Sequence, residues 1–430
     1  MINCSGNLIP SIKEASKAIL QSLLNGFHVK ETIRYQKNNL LFWELHYFRM
    51  MAALRRHRFN IPVEYTLVYL ENELILTPDA KVLQHIHTFK NVVDMNWEWW
   101  SQTNQPFDMS KVRNNAYDFF YNKYYNAKRL NEIIPILKHK EWCDQLVSVM
   151  MDMEEIGEDK YSEEVTEAFG YIESNGVRVS DDVCDIFDER VRKHISNGRL
   201  YTKYNLWTST GRPANSFGNV NFAAMKPEQR KAIIPEFDML VEYDYDAYHL
   251  RLIGDLIGYE FEKESVHQHL ADKYGCSYDE AKQRSFKQLY GGIDKEVRDN
   301  ITFFGLTYDK INTFWKYFKS HKFIETDIYN RKLLSKNYTD MNKNKLFNYL
   351  IQAYETESNI KTIIELKRYL LDKKTKLVLY GYDSFLFDFS KDDGVSTLTE
   401  LKNILERNGH MVKSQAGSNY GEMNDISDRL

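Results

Sequence analysis

Short apolar runs separated by polar turns begin near residue 200, and this alternation predicts a β-sheet in the second half of the chain. Residues 238–246 fit a buried strand that ends in acidic positions, and apolar residues at helical spacing follow from Ala247. Residues 376–389 fit two apolar strand halves joined by a tight Gly-Tyr-Asp-Ser turn, which is typical of a β-hairpin. The pattern therefore predicts that Asp244 lies at the C-terminal end of one strand and Asp383 in the turn of a hairpin.

The pattern before residue 200 is different. Residues 1–145 are rich in aromatic side chains and predict a mainly helical N-terminal domain, whose role the sequence does not indicate. Residues 146–199 predict an acidic helical connector, interrupted at Asn175-Gly176. The tryptophans at 97, 99 and 100 could stack on nucleic-acid bases, but we interpret them as packing in a core or an interface.

The length of 430 residues predicts two or three domains, and the net charge of −4 neither indicates nor excludes a nucleic-acid partner. Fifteen Lys or Arg against seven acids in residues 310–376 could form a basic face locally. The four cysteines have no metal-ligand or disulfide spacing, which favours a reducing compartment. Neither a signal peptide nor a membrane span is indicated, so we expect a cytoplasmic protein, in the host cytoplasm if viral, without a membrane partner.

The two aspartates could form a metal centre if the predicted hairpin pairs beside the strand of Asp244. Carboxylates held close together repel unless cations lie between them, and Mg²⁺ takes one or two carboxylates together with substrate phosphates. Two such ions about 3.5–4 Å apart can stabilise the attacking and leaving oxygens of an in-line phosphoryl displacement. Mn²⁺ could replace them. The alternative, for either acid alone, is a solvated strand end or a helix cap.

A helix predicted between the two acids could bind a nucleoside triphosphate. Lys282, Phe286 and Tyr290 follow one another at intervals of four and share one helix face, and Gly291-Gly292 ends the helix. A triphosphate needs the cation, and a base pair can stack on the aromatic plate. The alternative is an ordinary amphipathic helix that buries Phe286 and Tyr290 in a core.

These segments together resemble the family-A DNA polymerases, the bacterial DNA polymerase I type. Asp244-Tyr-Asp-Ala-Tyr-His-Leu-Arg-Leu252 resembles motif A, usually Asp-Tyr-Ser-Gln-Ile-Glu-Leu-Arg-Leu, and Lys282-x3-Phe286-x3-Tyr290-Gly291 resembles motif B. Tyr382-Asp383-Ser384 stands where motif C has His-Asp-Glu. The matches keep the family order over about residues 170–430. Further matching segments are Thr208–Arg212, Asn219–Asn221, Arg230, Asn348-x3-Gln352 and Gly417–Tyr420.

The resemblance implies an α+β right-hand fold. Its antiparallel-sheet palm would comprise residues 200–255 and 346–430, split around helical fingers at 256–345. It also implies a template-directed DNA polymerase that adds dNTPs to the 3′ end of primer–template DNA. Asp244, Asp383 and the Tyr245 carbonyl would bind two Mg²⁺ ions, and Lys282 would grip the triphosphate. The remaining implied contacts are His249, His267, Phe286 and Tyr290 to the nucleotide, and Arg212, Asn219, Asn348 and Gln352 to nucleic acid.

Four departures from the family pattern give further expectations. Tyr278 replaces a phosphate-binding arginine, which predicts weak nucleotide affinity, since Arg284 lies on another helix face. His249 replaces the glutamate that crowds the sugar 2′ position, yet we expect DNA synthesis to remain preferred because imidazole is bulky. Ser384 replaces a glutamate, with Asp246 and Asp388 as candidates for the lost charge. The segment between 181 and 197 is too short for the family thumb, which suggests a phage-like enzyme of low processivity with a processivity or replisome partner that holds the duplex. The alternative is that residues 1–145 supply an equivalent clamp.

Two alternatives to DNA synthesis remain. The Asp383-Ser384 pair also resembles single-subunit RNA polymerases, so an RNA-synthesising enzyme is one. A weakly catalytic, primer–template-binding replication scaffold is the other, although a scaffold has no need of Asp244, Asp383 and Lys282 together. A proofreading exonuclease is not expected, because the nearest acidic pair, Asp94 and Glu98, has the wrong spacing for strand-borne carboxylates.

Overall fold

The computed structural model divides the chain into two compact units, Met1–Ser174 and Asn175–Leu430. The finer domain boundaries expected from the sequence stay predictions. The residues that the structure describes are 34–37, 40–43, 74–77, 80–81, 92–94, 97, 100–101, 160–182, 186–187, 189–192, 195–196, 198–215, 220–262 and 265–429.

The described part of the first unit contains a four-stranded mixed sheet in a range where the sequence predicted mainly helix. Its strands lie in chain order, with the first pair antiparallel and the other two pairs parallel. They are β1 (Arg34–Lys37), β2 (Leu40–Trp43), β3 (Leu74–Thr77) and β4 (Val92–Asp94).

Two tryptophans of the first unit pack in a buried aromatic cluster. The ring centroid of Trp97 lies 5.5 Å from that of Trp100 and 4.9 Å from that of Tyr161, and all three side chains are buried. The Asp94 carboxylate accepts the backbone N–H groups of Ala80 and Trp97 at 2.8 and 3.2 Å. The packing interpretation of Trp97 and Trp100 is thus confirmed. Helix α1 (Lys160–Asn175) ends the unit.

The second unit is built on a five-stranded antiparallel sheet. In spatial order its strands are β14 (Lys376–Tyr380), β15 (Ser384–Phe389), β11 (Met239–Tyr245), β16 (Val412–Asn419) and β17 (Glu422–Asp425). Side chains of the central strand alternate between the two faces of the sheet: Val241, Tyr243 and Tyr245 are buried on one face, while the other face opens to solvent at Asp244. Tyr243 and Tyr245 project to one face, where their hydroxyls donate to the Leu398 and Leu405 carbonyls at 2.8 Å.

The predicted hairpin at 376–389 is confirmed. Its two strands pair antiparallel, with a register shift between Leu377 and Leu379. The Gly381 N–H donates to the Ser384 carbonyl at 2.8 Å, and Tyr382 has a left-handed φ of 76°. A non-glycine residue in this conformation is uncommon and is held by its surroundings. Asp383 therefore lies in the turn, next to the start of β15.

The helices within residues 248–369 pack around a common apolar core, which includes buried Leu250, Ile253, Phe303 and Leu350; the helix at 395–406 lies outside this core. Their ends carry ordinary stop and start signals, for example the capping box of Ser277 and Glu280. A small hairpin, β12 (Phe323–Glu325) with β13 (Lys332–Leu334), leads into the longest helix. The helices are α4 (Tyr248–Ile257), α5 (Val266–Tyr274), α6 (Tyr278–Gly291), α7 (Lys295–Asn300), α8 (Thr302–His321), α9 (Lys343–Tyr369) and α10 (Val395–Glu406).

Short elements before β11 complete the second unit. A four-stranded sheet in the order β10-β5-β7-β6 shares an apolar core with β11 and the β14–β15 hairpin. Within the described ranges, no helix has both the length and the apolar character that crossing a membrane requires. The short elements are β5 (Val177–Val179), α2 (Glu189–Arg192), β6 (Ile195–Ser196), β7 (Arg199–Leu200), β8 (Tyr204–Asn205), β9 (Ala214–Asn215), α3 (Pro227–Arg230) and β10 (Ile233–Ile234).

Candidate active site

Asp244 and Asp383 lie side by side on neighbouring strands. In the antiparallel register of β11 and β15, Asp244 is opposite Ser384. The Tyr245 N–H donates to the Asp383 carbonyl at 2.9 Å, which joins the turn directly to the strand. On its other side, the Asn359 amide donates to the Tyr382 carbonyl at 2.7 Å. The two carboxylates predicted to be neighbours are therefore brought together by backbone pairing on rigid elements.

The electrostatics of the pair favour a bound cation. Burial, the nearby Asp383 carboxylate and Glu242 raise the pKa of Asp244 to about 7, against the opposing effect of Lys413. Burial also raises the pKa of Asp383, and the Glu355 carboxylate adds to the effect. A divalent cation between two such groups would relieve both the desolvation and the repulsion.

A cleft of about 240 Å³ opens beside the two aspartates. Ala247, with a left-handed φ of 54°, turns the chain sharply from β11 into α4, so that both elements border the cleft. Nine predicted site residues line it: Arg212, Asp244, Tyr245, His249, His267, Lys282, Phe286, Tyr290 and Asp383. The other lining residues are Asp246, Ala247, Tyr248, Leu250, Tyr278, Glu355 and Lys413.

Helix α6 turns its predicted functional face to the cleft. Phe286 and Tyr290 are 37% and 43% exposed, and their rings are stacked with centroids 6.1 Å apart. The helix buries Ala281, Ser285, Gln288 and Leu289 instead. The interpretation of Phe286 and Tyr290 as core residues is therefore wrong. Lys282, also exposed, completes a face that carries a cation followed by two aromatic rings.

His267 contributes a buried imidazole to the cleft. The side chain is 3% exposed, with its ring edge-on to Tyr278 at 5.5 Å and tilted against Phe286 at 6.1 Å. Burial lowers the pKa of His267, and the charge of Lys282 adds to this effect. Its Nδ1 atom has no hydrogen-bond partner among the residues that the structure describes. A neutral ring with one open nitrogen can bind a polar group of a ligand.

Glu355 is a site residue that the sequence analysis missed. It lies on α9, is 1% exposed, and its carboxylate lies 2.8 Å from Arg212 Nε and 3.3 Å from His249 Nε2. Asn348 and Gln352 precede it by seven and three residues on α9, so all three share one helix face. The spacing of four and three residues from Asn348 to Gln352 to Glu355 was the sequence signal that could have identified Glu355. Neither Asn348 nor Gln352 lines the cleft, and Asn219 lies outside the described residues.

Lys413 is the second site residue that the sequence analysis missed. It pairs with Asp246, one of the two acids considered as replacements for the carboxylate that the family has at Ser384. It lies opposite Asp244 on β16, and its Nζ is 2.8 Å from Asp246. Asp246 lines the cleft, but Lys413 and Arg251 both pair with it. Burial raises the pKa of Asp246, yet the Lys413 hydrogen bond and these two cations outweigh burial and lower it.

Asp388, the other acid considered as a replacement for the family glutamate at Ser384, lies away from the Asp244–Asp383 pair. Its carboxylate accepts the backbone N–H groups of Glu236 and Phe237 at 2.8 and 3.1 Å, opposite Leu240 and several residues along β15 from Asp383. Within the described part of the chain, no group of three or more His, Cys, Asp or Glu side chains could hold a metal ion. Two carboxylates still suffice for Mg²⁺, which completes its shell with water and substrate phosphates.

The fold identifies the class of architecture. The second unit combines an antiparallel sheet with helices, and the α+β polymerase-type fold expected from the sequence is confirmed. The structure is similar to that of the polymerase domain of Pol1 from M. smegmatis, solved as a complex with DNA primer–template and dNTP. The TM-score is 0.58 at 12% sequence identity, covering 83% of this chain and 88% of that chain. No protein-family model and no curated protein matches the chain.

Proposed function

We propose that the chain is a template-directed DNA polymerase that adds deoxynucleotides to a primer 3′ end. The observation that carries the proposal is the cleft in which Asp244 and Asp383, joined by backbone pairing, lie beside the Lys282 and Phe286 face of α6. The likeness of the fold to a polymerase domain bound to primer–template and dNTP supports it. Acids on strands together with a cationic, aromatic helix are what a nucleoside triphosphate requires.

The residues of the cleft have separable roles in this reaction. Asp244 and Asp383, with the Tyr245 carbonyl, would hold two Mg²⁺ ions, whose charge stabilises the attacking and leaving oxygens at the α-phosphate. Lys282 binds the triphosphate and neutralises the departing pyrophosphate. Phe286 and Tyr290 offer their exposed stacked rings to the new base pair. Catalysis then comes from positioning and charge neutralisation.

The proposed subdomains follow from the same assignment. The five-stranded sheet is the palm, and the helices within residues 256–345 are the fingers. By the same assignment, Arg212, Asn219, Asn348 and Gln352 would contact the primer–template; Asn348 and Gln352 share the α9 face of Glu355, and Asn219 lies outside the described residues. The helical connector at residues 146–199 stands in place of the thumb, so we expect low processivity and a partner protein that holds the duplex.

RNA synthesis remains a candidate because His249 stands where the motif A resemblance implies a contact with the nucleotide sugar. Its imidazole borders the cleft and contacts the Tyr290 hydroxyl at 2.6 Å. A ring fixed there leaves little room for a ribose 2′-hydroxyl, which favours the deoxyribose substrate. A scaffold without activity is disfavoured, since it has no use for Asp244, Asp383 and Lys282 in one cleft.

Primer extension with Mg²⁺ and either dNTPs or NTPs tests the proposal. We expect extension with dNTPs by the unmodified chain, and a loss of at least about a thousandfold for Asp383→Ala. The matched control is Asp372→Ala, which removes an exposed acid outside the cleft. Extension that survives Asp383→Ala would exclude the proposed centre. Extension with NTPs alone would establish RNA synthesis.

A further inference from the structure

Glu355 joins two parts of the cleft that are far apart in the sequence. Its buried carboxylate lies 2.8 and 3.3 Å from two nitrogens of the Arg212 guanidinium, and 3.3 Å from His249 Nε2. A buried carboxylate needs such partners, because the loss of its hydration strongly disfavours the charge without them. The position of Glu355 therefore depends on both partners, and theirs on it.

On one side of Glu355 lies His249, which the proposed function assigns to the nucleotide sugar. His249 Nδ1 is 2.6 Å from the Tyr290 hydroxyl, while Nε2 points to Glu355. One ring nitrogen thus has a hydrogen-bond partner on α6, and the other lies close to the buried Glu355 carboxylate on α9 without a hydrogen bond to it. The His249 ring therefore lies between helices α9 and α6, with a carboxylate beside Nε2.

On the other side lies the turn that carries the catalytic aspartate. The Arg212 guanidinium stacks over the Tyr382 ring at 3.9 Å from its centroid, and Tyr382 directly precedes Asp383. A guanidinium stacked on a ring and paired with a carboxylate is held in two directions. The same carboxylate thus supports both the sugar contact and the metal-binding turn.

We propose that Glu355 is a positioning residue for sugar selection. It holds the imidazole of His249 against Tyr290, so that a ribose 2′-hydroxyl must displace a fixed ring while a deoxyribose fits beside it. The inference rests on the proposed polymerase function. Loss of the Glu355 charge removes the carboxylate beside Nε2 and leaves the Tyr290 hydrogen bond alone to hold the ring, which can then turn aside for a ribonucleotide.

Glu357 on the same helix offers a matched control. It is fully buried, and its carboxylate lies 3.0 Å from Arg331 Nε, so it resembles Glu355 in burial and in having an arginine partner. It does not line the cleft. Glu357→Gln therefore reproduces the removal of a buried, paired charge from α9 without touching His249.

The test is single-nucleotide insertion opposite a defined template base. We would measure kcat and KM for a dNTP and its matching NTP with the unmodified chain, Glu355→Gln and Glu357→Gln. We expect Glu355→Gln to lower the dNTP-over-NTP ratio of kcat/KM at least tenfold, mainly through a lower KM for the NTP. For Glu357→Gln we expect a ratio within about twofold of the unmodified chain. An unchanged ratio in Glu355→Gln, or an equal fall in both variants, overturns the proposal.

A charge exchange separates positioning from mere structural support. His249→Glu places a second carboxylate beside Glu355 with Arg212 as the cation they share, and we expect dNTP insertion to fall at least tenfold. Adding Glu355→Gln should restore much of it by removing the like charge. Failure of this rescue overturns the proposal, whereas no insertion of either nucleotide by the unmodified chain overturns the polymerase function itself.

Discussion

Replacing Asp244 by Asn should abolish activity and yet stabilise the protein when no divalent cation is present. Asp244 is an acid whose pKa is raised from 3.8 to about 7, first by burial and then by the Asp383 and Glu242 carboxylates. Its ionised form is therefore disfavoured in the folded chain. The Asp244→Asn substitution keeps the shape of the side chain but removes the charge.

The magnitude follows from the size of the pKa shift. A rise in pKa from 3.8 to about 7, at roughly 1.4 kcal/mol per pKa unit, limits the destabilisation of the fold by ionised Asp244 to ~4 kcal/mol. Because the Asp244 carboxylate is partly exposed at the cleft, solvent screening reduces this to about 1–2 kcal/mol. For a unit of this size, that corresponds to a rise in melting temperature of about 2–8 °C.

The sign of the pH dependence is fixed by the raised pKa. Ionised Asp244 destabilises the fold fully above about pH 7, and the penalty shrinks as pH falls from 7 toward 3.8, where both states are protonated. The Asp244→Asn variant should therefore melt higher than the unmodified chain at pH 8 and nearly level with it near pH 4. Excess Mn²⁺ should reverse the order, because binding stabilises only the chain that retains Asp244.

The assay is thermal unfolding in EDTA or Mn²⁺ at several pH values, with Asp372→Asn as the exposed control. An Asp244→Asn variant that melts at or below the unmodified chain in EDTA at pH 8 would refute the electrostatic reasoning. A melting temperature for the unmodified chain that Mn²⁺ does not change would refute the metal assignment, whatever the result in EDTA.

Three further substitutions test the nucleotide contacts. Lys282→Met should raise KM for dNTP at least about tenfold, because it removes a cation that binds the triphosphate. Lys287 is also exposed on α6, and Lys287→Met should leave KM within a factor of two. Both are measured by steady-state extension. Lys413→Met should raise KM about three- to tenfold if this lysine, beside Asp244, compensates for Tyr278; an unchanged KM would show that one lysine suffices. Phe286→Ala should cost about 1–3 kcal/mol of dNTP binding through lost base stacking, measured by titration on stalled primer–template; equal affinity would contradict a stacking role.

The sequence predicted the local parts of the site because their signals are local. A short apolar run with an acidic end defined the strand of Asp244, and the Gly-Tyr-Asp-Ser turn defined the hairpin with Asp383. The spacing of Lys282, Phe286 and Tyr290 showed that they share a helix face. Each feature depends on a few consecutive residues and on backbone geometry, so it can be predicted without knowing which distant segments pack against it.

The tertiary structure decided which of these faces meet. Helical spacing groups Phe286 with Tyr290 but does not say whether they face a core or a cleft, and their exposure settled the question. Glu355 is 143 residues from Arg212, and no local pattern relates them. Asp388 seemed as suitable an acid as Asp246 until the register of β15 placed it away from the centre. Contacts of this kind depend on how strands and helices pack across the chain, and only the folded unit fixes them.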